Sequence, residues 1–545
     1  MTTSAIRPSW GARLAQDPLL LAVYAAATLF LAVFVAYPLA RVLLAPGGEQ
    51  WAALLAGPRW RGVLQNTGTM LVLSTTSGTT LGFVFAYATL RARVPGAAAF
   101  RLVALLPLIT PPFVGGLSLI FLFGRQGLVT FRLLGLETNI YGWHGLWLAQ
   151  TLAFFPVAFL AVGTVLRQIN PTYEQAARSL GASPWVTFRS VFLPLALPGI
   201  AAAAMLVAIH VLADFGNPAL VGGRYRVLAT EAYAQVAGWA DYRMAAAIGA
   251  AMFPPALALF AAHRRLMRRL APTLTGRGSV MAPVPVAPWV RWALFGVCAA
   301  TSALVVAKYA VIFLGAFARV WGYDFSLTTS HLHFVFLKSR DLANSLRFAA
   351  LAGAGTGVLA TLLAYVIHRF RFPLRGALDA VTLLPSAIPG TLLGLAFVLA
   401  FNERPLALAG TSAIVVLSMM VRYLPVGYRS AVAALAQIDR SIERSASSLG
   451  ADGMRVFRDI VLPLTRSAFT AGMVYAFLKS LGTLSAVIFL VSHGTGLASV
   501  SILNAAEQGF WGQASALACA LILVALATLV AFRVLVGGAL RLFEL

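Results

Sequence analysis

Seven polar side chains stand in or beside stretches that are otherwise apolar: His210, Asp214 and Asn217 together, Lys479, Thr483 and Ser485 together, and Arg422. Ionisable groups are costly in hydrocarbon, so they are expected to face one another or a polar path. Their chemistry is ion recognition. Lys, Arg and His attract an anion, whereas a bare ferric ion asks for hard oxygen ligands, chiefly carboxylates. Asp214 is the one acid in the set. A competing reading makes Lys479 a structural contact that pairs with Asp214 or snorkels. No nucleophile elbow, HExxH or CxxC occurs, so no catalytic residue is assigned. His331 and His333, in SHLHFVF, have an i, i+2 spacing in a loop, where solvated histidines are the simpler reading; no metal site is assigned.

The elements that must position these groups are apolar helices. The chain has 545 residues, 60% hydrophobic and 11% charged, whereas soluble domains carry about a quarter charged residues. Apolar runs long enough to cross a bilayer recur throughout. The expected spans are 19–44, 67–90, 102–124, 143–166, 194–215, 244–262, 292–316, 345–368, 378–401, 408–435, 467–490 and 512–537. This predicts an all-α membrane protein of about twelve transmembrane helices. The net charge of +24 reflects Arg-rich loops, not nucleic-acid binding, because no soluble basic domain exists to carry it. Arginines favour the loops called inside by about two to one, among them Arg7, Arg13, Arg371 and Arg541. That places both termini in the cytoplasm. Cys298 and Cys519 fall in spans and read as buried apolar residues.

The chain is written twice. Asn66, Tyr87, Arg91, Arg93, Pro95, Pro107, Pro111 and Gly116 match Asn344, Tyr365, Arg369, Arg371, Pro373, Pro385, Pro389 and Gly394 at an offset of 278 (344−66). Pro156, Glu174, Gly181, Phe188, Arg189, Leu193 and Pro194 match Pro425, Glu443, Gly450, Phe457, Arg458, Leu462 and Pro463 at an offset of 269 (443−174). Six spans per half give the halves one orientation, a parallel repeat. The expected units are residues 1–270 and 292–545, joined by a basic, Pro- and Gly-rich cytoplasmic linker at 271–291.

Residues 168–194 and 437–463 are the polar paragraph of each half. Asn170 before Pro171, and Ser183 before Pro184, read as helix caps; Gly181 reads as a left-handed stop between two short helices. Asp439, Gly450 and Asp452 repeat the grammar. These stretches resemble the EAA loop of binding-protein-dependent ABC importers: Glu174, Ala176–Ala177, Gly181, Val191, Leu193 and Pro194, then Glu443, Ala446, Gly450, Ile460, Leu462 and Pro463. Gln175, Ser445 and Val191 are the departures. The resemblance narrows to the fused, two-in-one permeases of the ferric-iron and 2-aminoethylphosphonate type through FGRQGL at 123–128, LADFGNPALVGG at 212–223, AIPGTLLGLAF at 387–397 and LGTLSAVIFLV at 481–491.

The resemblance implies a type I ABC importer fold in a bacterial inner membrane, and coupling by Glu174, Ala177, Gly181, Glu443, Ala446 and Gly450 to two copies of an ATPase subunit. It also implies a periplasmic substrate-binding protein as partner. The chain itself offers no P-loop: its lysines, Lys308, Lys338 and Lys479, follow Ala307, Leu337 and Leu478, never Gly. ATP and magnesium are therefore expected on the partner, and no cofactor on this chain. Iron permeases of this type tend to carry Glu where His210 stands, and Lys-Glu where Lys479–Ser480 stands. The cargo expectation is thus ferric iron or a small anion such as a phosphonate or phosphate ester. The alternative is an ion-coupled secondary transporter with two six-helix halves, which would need an acid site in the membrane.

Overall fold

In the computed structural model, residues 18–270, 286–370 and 374–536 are described. Arg7, Arg13, Arg371, Pro373, Arg541, both chain ends and most of the expected linker lie outside these residues. The first half runs through α1 (Leu21–Leu44), α2 (Pro58–Arg91), α3 (Ala97–Ile109), α4 (Pro112–Phe123), α5 (Trp143–Gln168), α6 (Pro171–Ser179), α7 (Pro184–Leu212) and α8 (Tyr242–Leu270). The second repeats it with α9 (Pro288–Phe317), α10 (Asp341–Arg369), α11 (Arg375–Ser386), α12 (Gly390–Phe401), α13 (Ser412–Ala436), α14 (Arg440–Ser448), α15 (Gly453–Leu464), α16 (Arg466–Leu481) and α17 (Trp511–Val536).

Nine helices among the described residues are long and apolar enough to cross a membrane, and eleven if two bent pairs each count as one span. The 25-residue α13 adds a twelfth by length, although it carries Arg422 and Arg429. The chain is thus an all-α membrane protein of two parallel six-helix repeats. One departure is a small hairpin, β1 (Ala318–Val320) with β2 (Asp324–Leu327), turned by Gly322 at φ +83°.

Three expected spans are not single straight helices. The third breaks between α3 and α4, the ninth between α11 and α12 at 114°. Proline explains both. It donates no backbone hydrogen bond, and it pushes the preceding residue toward extended backbone; Thr110 has ψ 153° before Pro111. The eleventh span ends at Leu481 and lies 76° from α15, so residues 482–490 are turns. In the first copy, the second short helix of the polar loop runs on without a break into the span, so that α7 covers Pro184–Leu212.

Within each half, α2 packs on α5 and α7, and α10 packs on α13 and α16. The first helix of each half crosses over. α1 lies on α12, with Phe34 5.6 Å from Phe401, and α9 lies on α4. Each half therefore completes its core with a helix from the other.

Candidate transport cavity and coupling loops

The doubled loop is built as its grammar predicts. Asn170 Oδ1 accepts from the Thr172 amide at 2.9 Å, and Ser183 Oγ from the Val186 amide at 3.3 Å. Asp439 Oδ1 accepts from Ser441 at 2.8 Å, and Asp452 Oδ1 from Arg455 at 2.7 Å. Gly181 and Gly450 take φ +85° and +89°, the left-handed geometry that glycine adopts without steric cost. Ala177 and Ala446 accept the closing bonds, from Ala182 at 3.0 Å and Ala451 at 3.1 Å.

Each loop is tied to its half by one arginine. Arg91, at the end of α2, meets Glu174 at 3.1 Å and donates to the carbonyls of Leu166 and Ile169, at the end of α5. Arg369, at the end of α10, meets Glu443 at 2.8 Å and donates to Leu435 and Ile438, at the end of α13. Both carboxylates meet charge off the hydrogen-bond axis, so the pairs are electrostatic while the carbonyl bonds are aligned. Burial raises the Glu443 carboxyl above its usual value against the pull of Arg369 and Arg440. The arginines were visible as repeat mates, but nothing in their spacing named the glutamates as partners.

Beyond the pair, the loops present several apolar side chains to solvent, Tyr173, Trp185 and Val186 in the first and Ile442 in the second, and the barest are Leu180, 88% exposed, and Leu449, 89%. They are repeat mates (449−180=269) in the shared tripeptide Ser-Leu-Gly. The repeat held this signal, and the sequence reading passed over it.

Two cations repair the broken spans. Pro112 has no N–H for the Leu108 carbonyl one turn before it. Lys479, from the other half, donates there at 2.9 Å. Pro389 leaves the Pro385 carbonyl in the same state, and Arg422 Nη1 donates to it at 3.2 Å and also to the Ile388 carbonyl. A buried carbonyl left without a donor costs about 1–3 kcal/mol, so these bonds stabilise the breaks.

A cavity of about 340 Å3 opens between the halves, with His210, Asp214, Arg422, Lys479, Thr483 and Ser485 in its wall. It reaches toward Phe260, His263 and Arg429, on the side of the polar loops; Arg429 stands 5.5 Å over the Phe260 ring, from opposite halves. Neither His263 nor Arg429 was among the residues that the sequence singled out. At the far end Gly482 packs so closely on Pro111 that a Cβ would stand 2.8 Å from its Cγ. His210 Nδ1 lies 2.8 Å from the Leu206 carbonyl, so it carries the proton there.

One competing reading fails, and one expected pathway residue lies elsewhere. Asp214 does not pair with Lys479: its carboxylate accepts from Gln150 at 3.1 Å and from the Asn217 side chain at 3.0 Å. Asn217 is fully buried and does not line the main cavity; it holds Asp214. Elsewhere His331 is taken up by the Ala318 and Arg319 carbonyls of the hairpin, and Cys298 and Cys519 are buried free thiols.

Two halves related by repeat, each with a tied polar loop, around a shared cavity describe an importer permease. A family model, binding-protein-dependent transport system inner membrane component, matches residues 78–272 and 353–536, one copy per half, and the chain belongs to this family. It is similar to the ferric transport system permease protein FbpB of Actinobacillus pleuropneumoniae, 33% identical over 84% of this chain and 69% of that one. It is also similar to the Fe(3+)-transport system permease protein FbpB 2 of Haemophilus influenzae, 26% identical over 86% of this chain and 89% of that one. Among solved structures, a bacterial alginate ABC transporter in complex with alginate pentasaccharide-bound periplasmic protein matches half of the chain and all of its own, at 20% identity and TM-score 0.40. The chain is therefore the permease subunit of an ABC importer, a multi-pass inner-membrane protein. An ion-coupled secondary transporter is set aside.

Proposed function

We propose that this permease moves an anion, or ferric iron travelling inside an anionic complex, by alternating access. The cavity wall carries the observation behind this reading. Arg422, Arg429 and Lys479 face one carboxylate, Asp214, already occupied by two amides. A bare trivalent ion about 6 Å from one fixed positive charge is opposed by about 8 kcal/mol at an effective dielectric of about 20. The same wall attracts a carboxylate- or phosphate-bearing species. Ferric iron, the transport named for two relatives, suits this wall as an anionic complex, and the phosphonates and phosphate esters drawn from the sequence suit it directly.

In this reading, the loops at 168–194 and 437–463 face the cytoplasm, as do both termini, and the halves 1–270 and 292–545 move as units. Each loop docks one copy of a separate ATPase subunit, which binds ATP and magnesium, with Leu180 and Leu449 as the apolar knobs. A periplasmic binding protein delivers cargo to the far face. The cavity, which reaches toward the loops at Phe260, His263 and Arg429, stands in this reading for the inward-facing state. ATP binding draws the loops together, and Arg91 and Arg369 pass the motion to two spans each.

The test reconstitutes the chain in liposomes with its ATPase subunit and binding protein, and measures uptake of ferric citrate, 2-aminoethylphosphonate and a hexose phosphate. His210→Glu adds a second acid to the wall without removing a carbonyl donor. Uptake of an anionic cargo is expected to fall about tenfold or more in this variant. Unchanged or faster iron uptake would overturn the anion reading.

A further inference from the structure

Lys308 is a buried lysine that no step above uses. It lies in α9, in no ion pair among the described residues, and is 5% exposed. Its ammonium sits against the first half's broken span: a Cβ on Gly115 would stand 2.9 Å from Nζ and would push it aside. The fully buried Asn217 Oδ1, which has no hydrogen-bond partner, approaches the same point to 3.9 Å. Beside them is a cavity of about 10 Å3 lined by Lys308, Pro107, Thr110, Pro111, Gly115 and Ala153, among others. That is about the volume one water needs, and the wall is polar enough to hold one.

The repeat says what this place is for. Pro107 and Pro111 correspond to Pro385 and Pro389 (385−278 and 389−278). In the second half, the Pro385 carbonyl, which Pro389 cannot serve, takes its donor from Arg422. The position matching Arg422 in the first half is 422−269=153, and it is Ala153. The first half thus has the same proline-starved carbonyl, at Pro107, and lacks the arginine. The small cavity lies where that arginine would reach, and Lys308 enters it from the other half.

We propose that Lys308 is a positioning residue of the first broken span: through one water held in this cavity, its ammonium supplies the donor that Arg422 supplies to the second. An ammonium has three donors, so Nζ has donors to spare for this water, and the orphaned Asn217 Oδ1 adds an acceptor nearby. The two breaks are then held differently. The second is held from within its own half. The first is held by two cations of the other half, Lys479 at the Leu108 carbonyl and Lys308 at Pro107. Separation of the halves must release the first break, which makes it the moving part of the far gate.

The test places a reporter cysteine at Ala213, at the far end of the main cavity. Labelling by a membrane-impermeant maleimide from the periplasmic side is compared in the parent, Lys308→Ala, and Lys308→Ala with Ala153→Arg, all without nucleotide. The natural cysteines are buried. Lys308→Ala is expected to label at least fivefold faster than the parent, and Ala153→Arg to restore the parent rate. Equal labelling of parent and Lys308→Ala overturns the proposal. So does faster labelling that Ala153→Arg leaves in place, since a merely loosened core gains nothing from an arginine at that position. If Lys308→Ala fails to assemble, the double variant decides alone: assembly with the parent rate supports the proposal, and failure overturns it.

Discussion

The arginine–glutamate joint is where one residue does two jobs. Arg91 neutralises Glu174 and also closes two carbonyls at the end of α5. Its side chain is fully buried and that of Glu174 is 7% exposed, so neither charge is at ease without the other. Removing one partner of a buried pair costs about 3–5 kcal/mol, whereas removing both costs far less. Arg91→Met is therefore expected to lower thermal stability in detergent more than Glu174→Gln, because it also strips the carbonyls. The double variant should lose less than the sum of the two. Additive losses in a double-mutant cycle would show that the two side chains do not interact.

At the scale of the element, each polar loop is a short helix stopped by a left-handed glycine, with nothing within 4 Å of where a Cβ on Gly181 or Gly450 would stand. The glycine is required by the backbone turn and not by crowding. The turn leaves Leu180 and Leu449 nearly bare, whereas leucines such as Leu146, Leu166 and Leu392 are fully buried in the protein. Apolar side chains left bare at two repeat-related places mark a contact surface for a two-fold partner. Leu180→Ser with Leu449→Ser should leave the permease folded and monodisperse while abolishing co-purification of the ATPase subunit. Retention of that subunit at parent level would move the docking contact elsewhere on the loops.

For the whole molecule, the crossing of α1 onto α12 and of α9 onto α4 means that the halves share their cores. Pieces covering 1–270 and 286–545, expressed together, should co-purify through several detergent washes; pieces that separate would place the stability of each half within itself. Much of this protein was legible beforehand. Apolar length makes spans because a bilayer leaves a backbone no other partner. Prolines, glycines and caps act on their immediate neighbours, so the doubled loop and its turns could be read residue by residue. The repeat offset paired Arg91 with Arg369 and Glu174 with Glu443 without any coordinates. What sequence could not decide was which buried charge meets which carbonyl. Lys479 and Leu108 are separated by 371 positions, and a lysine offers the same donors to any acceptor it reaches. Only the packing of one half on the other chose Leu108 over Asp214, turned Asn217 away from the main cavity, and set Lys308 where the first half lacks an arginine.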